Sequence, residues 1–192
     1  LAIIKGVKSM KKVFRLATLE DAEQLLDLTF RAYEPIRRLK INFAAAKADI
    51  NLVKQNISNN ACYVYEQEGV IIATVSIRMP WGLQPGPFGV PHIWWFAVDP
   101  SLGQKGVGSN LLRWVEEKIL QDTLKAPAVS LGTADTHPWL IDMYERKGYV
   151  QAGDRNLGKG HKTVFLCKVL RPDLIEDQLI NFPLHILSQF NQ

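Results

Sequence analysis

The sequence predicts a single α/β domain on a mixed, mostly antiparallel sheet with helices on both faces, and three observations carry that prediction. The chain has 192 residues, enough for one sizeable core and short for two. Segments of strand character alternate with segments of helical spacing along its length, with no repeats and no low-complexity runs. One run, "HIWWFAV" (92–98), is apolar at nearly every position, as a central strand covered on both sides should be.

The elements follow in order. "KVFRLAT" (12–18) reads as a short strand. "TLEDAEQLLDLTFRAYEP" (18–35) reads as a helix, with Thr18 as N-cap, Asp21 three positions on, Ala22, Leu25, Leu26 and Phe30 at helical spacing, and Pro35 ending it. "FAAAKADINLVKQNIS" reads as a second helix, and "ACYVYEQEGVIIATVSIRM" as a hairpin joined through Glu66 to Gly69. "PWGLQPGPFGVP" (80–91) carries four prolines and three glycines and is a loop. After the central strand, Val107, Leu111, Val115 and Ile119 mark the apolar stripe of a helix over 106–120. "PAVSLGT" is a strand, and Pro138 opens a helix capped by His137 and ending at Gly148. "YVQAGD" and "KTVFLCKVL" close the sheet as an antiparallel pair.

Composition narrows the function. Hydrophobic residues make up 47% and charged residues 22%, ordinary for a globular domain. No apolar run approaches the ~20 residues of a membrane helix, so neither a membrane nor a membrane partner is expected. The net charge is +4, but the basic residues are scattered apart from "RRLK" and "KSMKK", so no nucleic-acid partner is expected. Cys62 and Cys167 lie in separate apolar segments without metal-type spacing, which predicts reduced core thiols, a cytoplasmic location and no metal. The N-terminal "LAIIKGVKSMKK" has its charges after the apolar residues, unlike a signal peptide, and residues 1–11 are given no fold role.

"LGQKGVGSNLL" (102–112) is the segment richest in chemistry. Its glycines follow G-x-x-G-x-G, which matches neither the G-x-x-x-x-G-K-[ST] phosphate loop nor the G-x-G-x-x-G dinucleotide fingerprint. Backbone N–H groups at a helix start still favour an anion, and Lys105 adds a positive charge. Gly106 and Gly108, lacking Cβ atoms, would let a pyrophosphate approach the backbone. A tight strand-to-helix turn with glycines for steric reasons alone is the alternative.

The flanks decide between these. "FAVDPSLGQKGVGSNLL" resembles the acetyl-CoA-binding segment of the GNAT acetyltransferase superfamily, through Val98, Asp99, Pro100, Gly106 and Gly108. Gly103 stands where the family usually has Gln or Arg. "FRLATLEDAEQLLDL" is similar to the family's first strand and helix, and "MYERKGYVQAG" to its last helix and following strand. The resemblance spans residues 12–169, leaving 170–192 as a C-terminal extension. Leu174, Ile175, Leu179 and Phe182 give that extension an apolar edge, to pack on the domain or to cover a partner in a homodimer.

The resemblance implies a GNAT-like fold whose central strands splay near Phe96 and Val98, with pantetheine paired to the freed backbone groups. It places the pyrophosphate on the amides of Gln104, Lys105, Gly106, Val107, Gly108 and Ser109. His137 stands where the family often has Asn, and either contacts the cofactor or caps its helix. Tyr144 takes the family's tyrosine position and is the candidate acid for the departing thiolate, since a phenol of pKa about 10 is protonated at neutral pH. A backbone N–H near Val98 would meet the oxyanion.

For the base, His92 opens the central strand and shares a side with Trp94, Phe96 and Val98 under strict alternation. Glu34, Asp135 and proton loss to solvent are the other options. Trp81, Trp94, Trp95 and Trp139 are expected as core or pocket wall rather than a cation cage. The implied activity is acetyl transfer from acetyl-CoA directly to a primary amine of a small molecule or peptide. A catalytically silent CoA-binding sensor or protein-interaction module on the same fold is the competing reading.

Overall fold

The protein was analysed as a computed structural model, which describes residues 11–103, 106–175, 182, 183 and 186. Among the described residues seven strands form one sheet: β1 (Lys12–Leu16), β2 (Ala61–Gln67), β3 (Val70–Arg78), β4 (His92–Val98), β5 (Ala128–Ala134), β6 (Val150–Asn156) and β7 (Lys162–Val169). They lie in the order β1-β2-β3-β4-β5-β7-β6. Every neighbouring pair is antiparallel except β4–β5, which is parallel. Short connections make the antiparallel pairs. Glu68 (φ 51°) and Gly69 (φ 82°) give β2–β3 the two-residue left-handed turn that suits strand twist.

Among the described residues five α-helices accompany the sheet: α1 (Ala22–Ala32), α2 (Glu34–Arg38), α3 (Ile50–Asn59), α4 (Val107–Trp114) and α5 (Leu140–Glu145). Several boundaries differ from the sequence prediction. Pro35 does not end a helix; it sits in the first turn of α2, where its missing N–H costs nothing. The second predicted helix begins only at Ile50, because Asp49 caps it by accepting from the Leu52 N–H at 2.8 Å. His137 is not a cap: α5 begins at Leu140, with Trp139 at its N-cap.

The helix after the central strand continues beyond α4 as a π-helical stretch, Val115–Thr123. Its wider turn shifts the inward position by one residue, so Leu120 is fully buried and Ile119 only half-buried.

Each face of the sheet has its own core. On one face, Val107, Leu111, Leu112, Val115 and Leu120 pack with Tyr144 onto Ile93, Phe96, Val98, Leu131 and Leu166. On the other, α1 and α3 cover β2–β4 through Leu25, Leu28, Val53, Val64 and Trp95. Beside them Phe88, Phe182 and Ile186 cover Ala128, Phe165 and Cys167. Phe182 thus packs onto the sheet, while Leu179 lies outside the described residues. Cys62 and Cys167 are free and buried, and burial pushes both thiols up, Cys167 to about 12. Among the described residues no helix is long and apolar enough to cross a membrane.

One buried polar network ties the first core together. Glu116 accepts from the Tyr149 hydroxyl at 2.6 Å and from Lys168 Nζ at 2.5 Å. Glu116 is only 5% exposed, so its charge depends on both partners. Tyr149→Phe removes one of them and should destabilise the fold by about 1–3 kcal/mol, read by urea denaturation.

Candidate active site

β4 and β5 are joined at only two positions, His92↔Ser130 and Ile93↔Leu131, and the strands part beyond them. A wedge therefore opens beside Trp94–Val98 on one strand and Gly132–Ala134 on the other. The Phe96 main chain turns to this wedge rather than to β5. Its carbonyl accepts from the Tyr33 hydroxyl at 3.0 Å, and its N–H reaches the same oxygen at 3.4 Å. One tyrosine from the α1–α2 junction thus holds a strand position that β5 has vacated. Tyr33 is a residue that sequence reasoning missed, since nothing in "RAYEP" ties it to a strand sixty residues on. Burial pushes its pKa up to about 12.

Tyr144 stands in the same core, 6% exposed, with its ring edge-on to Tyr149 at 5.5 Å. Its hydroxyl has no hydrogen-bond partner among the described residues. Burial, then the proximity of Tyr33 and Glu116, raises its pKa well above the ordinary tyrosine value, so the phenol keeps its proton.

The turn from β4 to α4 is anchored by Asp99, whose Oδ1 accepts from Ser101 N–H (2.9 Å), Ser101 Oγ (2.7 Å) and Arg31 Nη1 (2.6 Å). Burial opposes the Asp99 charge, but Arg31 and Ser101 outweigh it and hold the carboxyl below its usual range. Gly103 has φ 56° and Gly106 φ 90°, a left-handed region that favours glycine. That requirement explains Gly103 where the resembling family has Gln or Arg.

Gly106 and Gly108 have different reasons for lacking a side chain. A Cβ on Gly106 would meet nothing within 4 Å, whereas one on Gly108 would fall 2.7 Å from Val98 Cγ2 and 3.1 Å from Phe96 Cζ. Gly108 therefore lets α4 approach β4. Val107 is buried beneath the turn. Ser109 Oγ accepts from Lys147 Nζ at 2.6 Å, a cation at the helix start that the sequence did not single out. Gln104 and Lys105 lie outside the described residues.

His137 is 5% exposed and edge-on to Trp139 at 4.9 Å, with Nδ1 buried and unpartnered. Burial lowers its pKa, so the ring is neutral. Three features thus suit a chain of amides ending in phosphates: the wedge at Phe96, the orphaned His137 nitrogen, and the open Gly106 turn beside Lys147. Among the described residues, no group of His, Cys, Asp or Glu could hold a metal.

His92 is not on the side of Phe96 and Val98, contrary to strict alternation. β4 carries an extra residue opposite Ser76 and Ile77, where Ser76 pairs with Trp95 and Ile77 with Ile93. The bulge puts Ile93, Phe96 and Val98 in the α4 core and leaves Trp94 and Trp95 in the α1–α3 core. His92 instead meets Ser130 Oγ through Nδ1 at 2.8 Å and Phe165 at 6.4 Å. Burial, then Arg78 and Lys159, lowers its pKa to about 4.

Glu34 is ion-paired with Arg38 at 2.6 Å, and exposed Asp135 accepts from the Lys162 N–H at 3.1 Å. His161, unremarked in the sequence, lies edge-on to Phe43 at 5.9 Å with its pKa lowered by burial. Of the tryptophans, Trp95 is core and Trp94 half-buried, while Trp81 and Trp139 are exposed.

Comparison with known proteins adds four findings. A family model described as "Acetyltransferase (GNAT) family" matches residues 19–149. The chain is 68% identical over 165 residues to the S-(2-succino)cysteine N-acetyltransferase of Bacillus subtilis (strain 168), covering 86% of this chain and 100% of that one. It is 45% identical over 176 residues to the S-alkylcysteine N-acetyltransferase of the same organism, covering 89% and 96%. Among solved structures, the PaiA N-acetyltransferase of Thermoplasma acidophilum in complex with coenzyme A has a TM-score of 0.61 at 13% identity, covering 83% and 99%.

The two glycines should separate in experiment. Gly106→Val should weaken coenzyme A binding about tenfold through strain at the turn, measured by calorimetry. Gly108→Val should instead lower stability by about 1–3 kcal/mol in urea, by overpacking against Val98 and Phe96.

Proposed function

This chain belongs to the acetyltransferase (GNAT) family, and we propose that its acceptor is the amino group of an S-substituted cysteine, S-(2-succino)cysteine foremost. The activity itself is acetyl-CoA-dependent N-acetyl transfer, as in its named relatives. The observation that carries the acceptor is the 68% identity extending over the whole length of the succinocysteine enzyme.

In this reading, acetyl-CoA supplies a thioester carbonyl in the wedge between β4 and β5. The Phe96 and Val98 main chain binds its pantetheine arm in the manner of an added strand, with His137 Nδ1 taking one amide. The amides of residues 106–109, with Lys147 beside Ser109, hold the pyrophosphate. The Phe96 N–H stabilises the oxyanion, which requires Tyr33 to yield its place on Phe96 and leaves the Phe96 carbonyl and the Val98 groups to the pantetheine. As the C–N bond forms and the C–S bond breaks, Tyr144, kept protonated by its raised pKa, gives the leaving sulfur a proton, and the proton shed by the acceptor nitrogen returns to the phenolate through solvent.

His92 is too weak a base to draw a proton from an ammonium group: its folded pKa is about 4 and its ring faces away from Phe96. The acceptor amine therefore enters neutral, having lost its proton to solvent.

Two outcomes test this mechanism. Tyr144→Phe should lower kcat by about 10²-fold while leaving coenzyme A affinity within twofold. A group whose folded pKa is about 4 is already deprotonated above pH 5, so kcat/KM should show no ionisation near pH 6.5. It should rise with pH until the acceptor's own amine is deprotonated, in an assay of free-thiol release with S-(2-succino)cysteine.

A further inference from the structure

We propose that Arg78 is the residue that recognises the S-substituent of the acceptor, by pairing its guanidinium with a carboxylate of that substituent. The inference rests on the cysteine-derivative reading above and adds to it the group that selects among such compounds.

Arg78 ends β3 and lies in register with His92 on β4. Its guanidinium carbon sits 3.8 Å over the Trp94 ring, and Nη2 donates to Gln84 Oε1 at 3.1 Å. Nε is buried with no partner. Burial alone lowers its pKa, and no carboxylate among the described residues faces it. Arg37, also half-buried without an acid, donates to the Phe30 and Ala46 carbonyls, and other partly buried arginines are ion-paired. Arg15 is paired with Asp21 and Glu66, and Arg31 with Asp27 and Asp99. A desolvated guanidinium without an anion is costly, and its planar fork is shaped for a carboxylate.

The surroundings carry the same sign. Lys159 and Arg78 both act on His92, and Arg155 lies 6.0 Å over the Phe165 ring that also faces His92. None of these three cations is ion-paired among the described residues. The cluster has the sign of charge that a succinyl group, a dicarboxylate, would meet. Position decides which end of the acceptor it meets. Arg78 stands level with His92, four residues before Phe96 on β4, at most about 13 Å along the strand. The cysteine carboxylate adjoins the reacting nitrogen and must stay near Phe96, whereas the S-substituent projects away from it.

The test compares wild-type protein and Arg78→Met with acetyl-CoA and two acceptors, S-(2-succino)cysteine and S-methylcysteine. The variant should lower the ratio of kcat/KM for the succinyl compound to that for the methyl compound by about 10- to 100-fold, entering through KM. Arg78→Lys should recover part of that ratio, because it restores charge without the fork. An equal loss on both acceptors would mean that Arg78 only supports Trp94, and an unchanged ratio would mean that it touches no substrate; either overturns the proposal. Should the Met variant not fold, Arg78→Gln carries the same comparison. A wild-type protein inactive on both cysteine derivatives would refute the acceptor reading and this inference with it. Activity on both with an unaltered ratio in the variant refutes the inference alone.

Discussion

The constraint on which the rest of the structure depends is the parting of β4 from β5 after two residue pairs. A parallel pair leaves its main-chain groups unsatisfied wherever the partner departs, and buried groups of that kind must find another partner. At Phe96 the partner is the Tyr33 hydroxyl. The gap between the strands is thereby lined with polar main-chain groups, held by a tyrosine whose charge is felt at Tyr144. A ligand bearing amides and a carbonyl can replace one hydroxyl there without costing the strand its hydrogen bonds.

The other features secure that opening. The bulge at Trp94 turns Phe96 and Val98 toward α4, and Gly108 lets the helix come down onto both side chains. Asp99 and Arg31 fasten the turn above to α1, the helix that ends at Tyr33. Glu116, Tyr149 and Lys168 brace the far side of the same core, against which Tyr144 packs. The donor side of the wedge is therefore built from rigid elements. The proposed acceptor side, at Arg78, Lys159 and Arg155, is instead a set of cations with no ion pair among the described residues.

Much of this was readable in the sequence because local rules governed it. Apolar "HIWWFAV" had to be central, and the glycine turn after "VDP" had to start a helix. What escaped was set by tertiary geometry. Strict alternation placed His92 beside Phe96, and only the pairing of Ser76 with Trp95 and of Ile77 with Ile93 reveals the extra residue. Gly108 could be read as a phosphate contact, since nothing local shows that Val98 fills its Cβ position. Tyr33, Lys147 and Arg78 carry no motif, and their meaning comes from partners dozens of residues away. The acceptor was likewise unreadable from local pattern, because an arginine without an acid looks like any other until its surroundings are seen.

The central claim is that the wedge at Phe96 receives the donor, and amide hydrogen exchange reports on it directly. The account predicts that coenzyme A slows exchange at the Phe96 and Val98 amides and at those of residues 106–109. Protection confined to other parts of the chain, with Phe96 and Val98 unchanged, would contradict it.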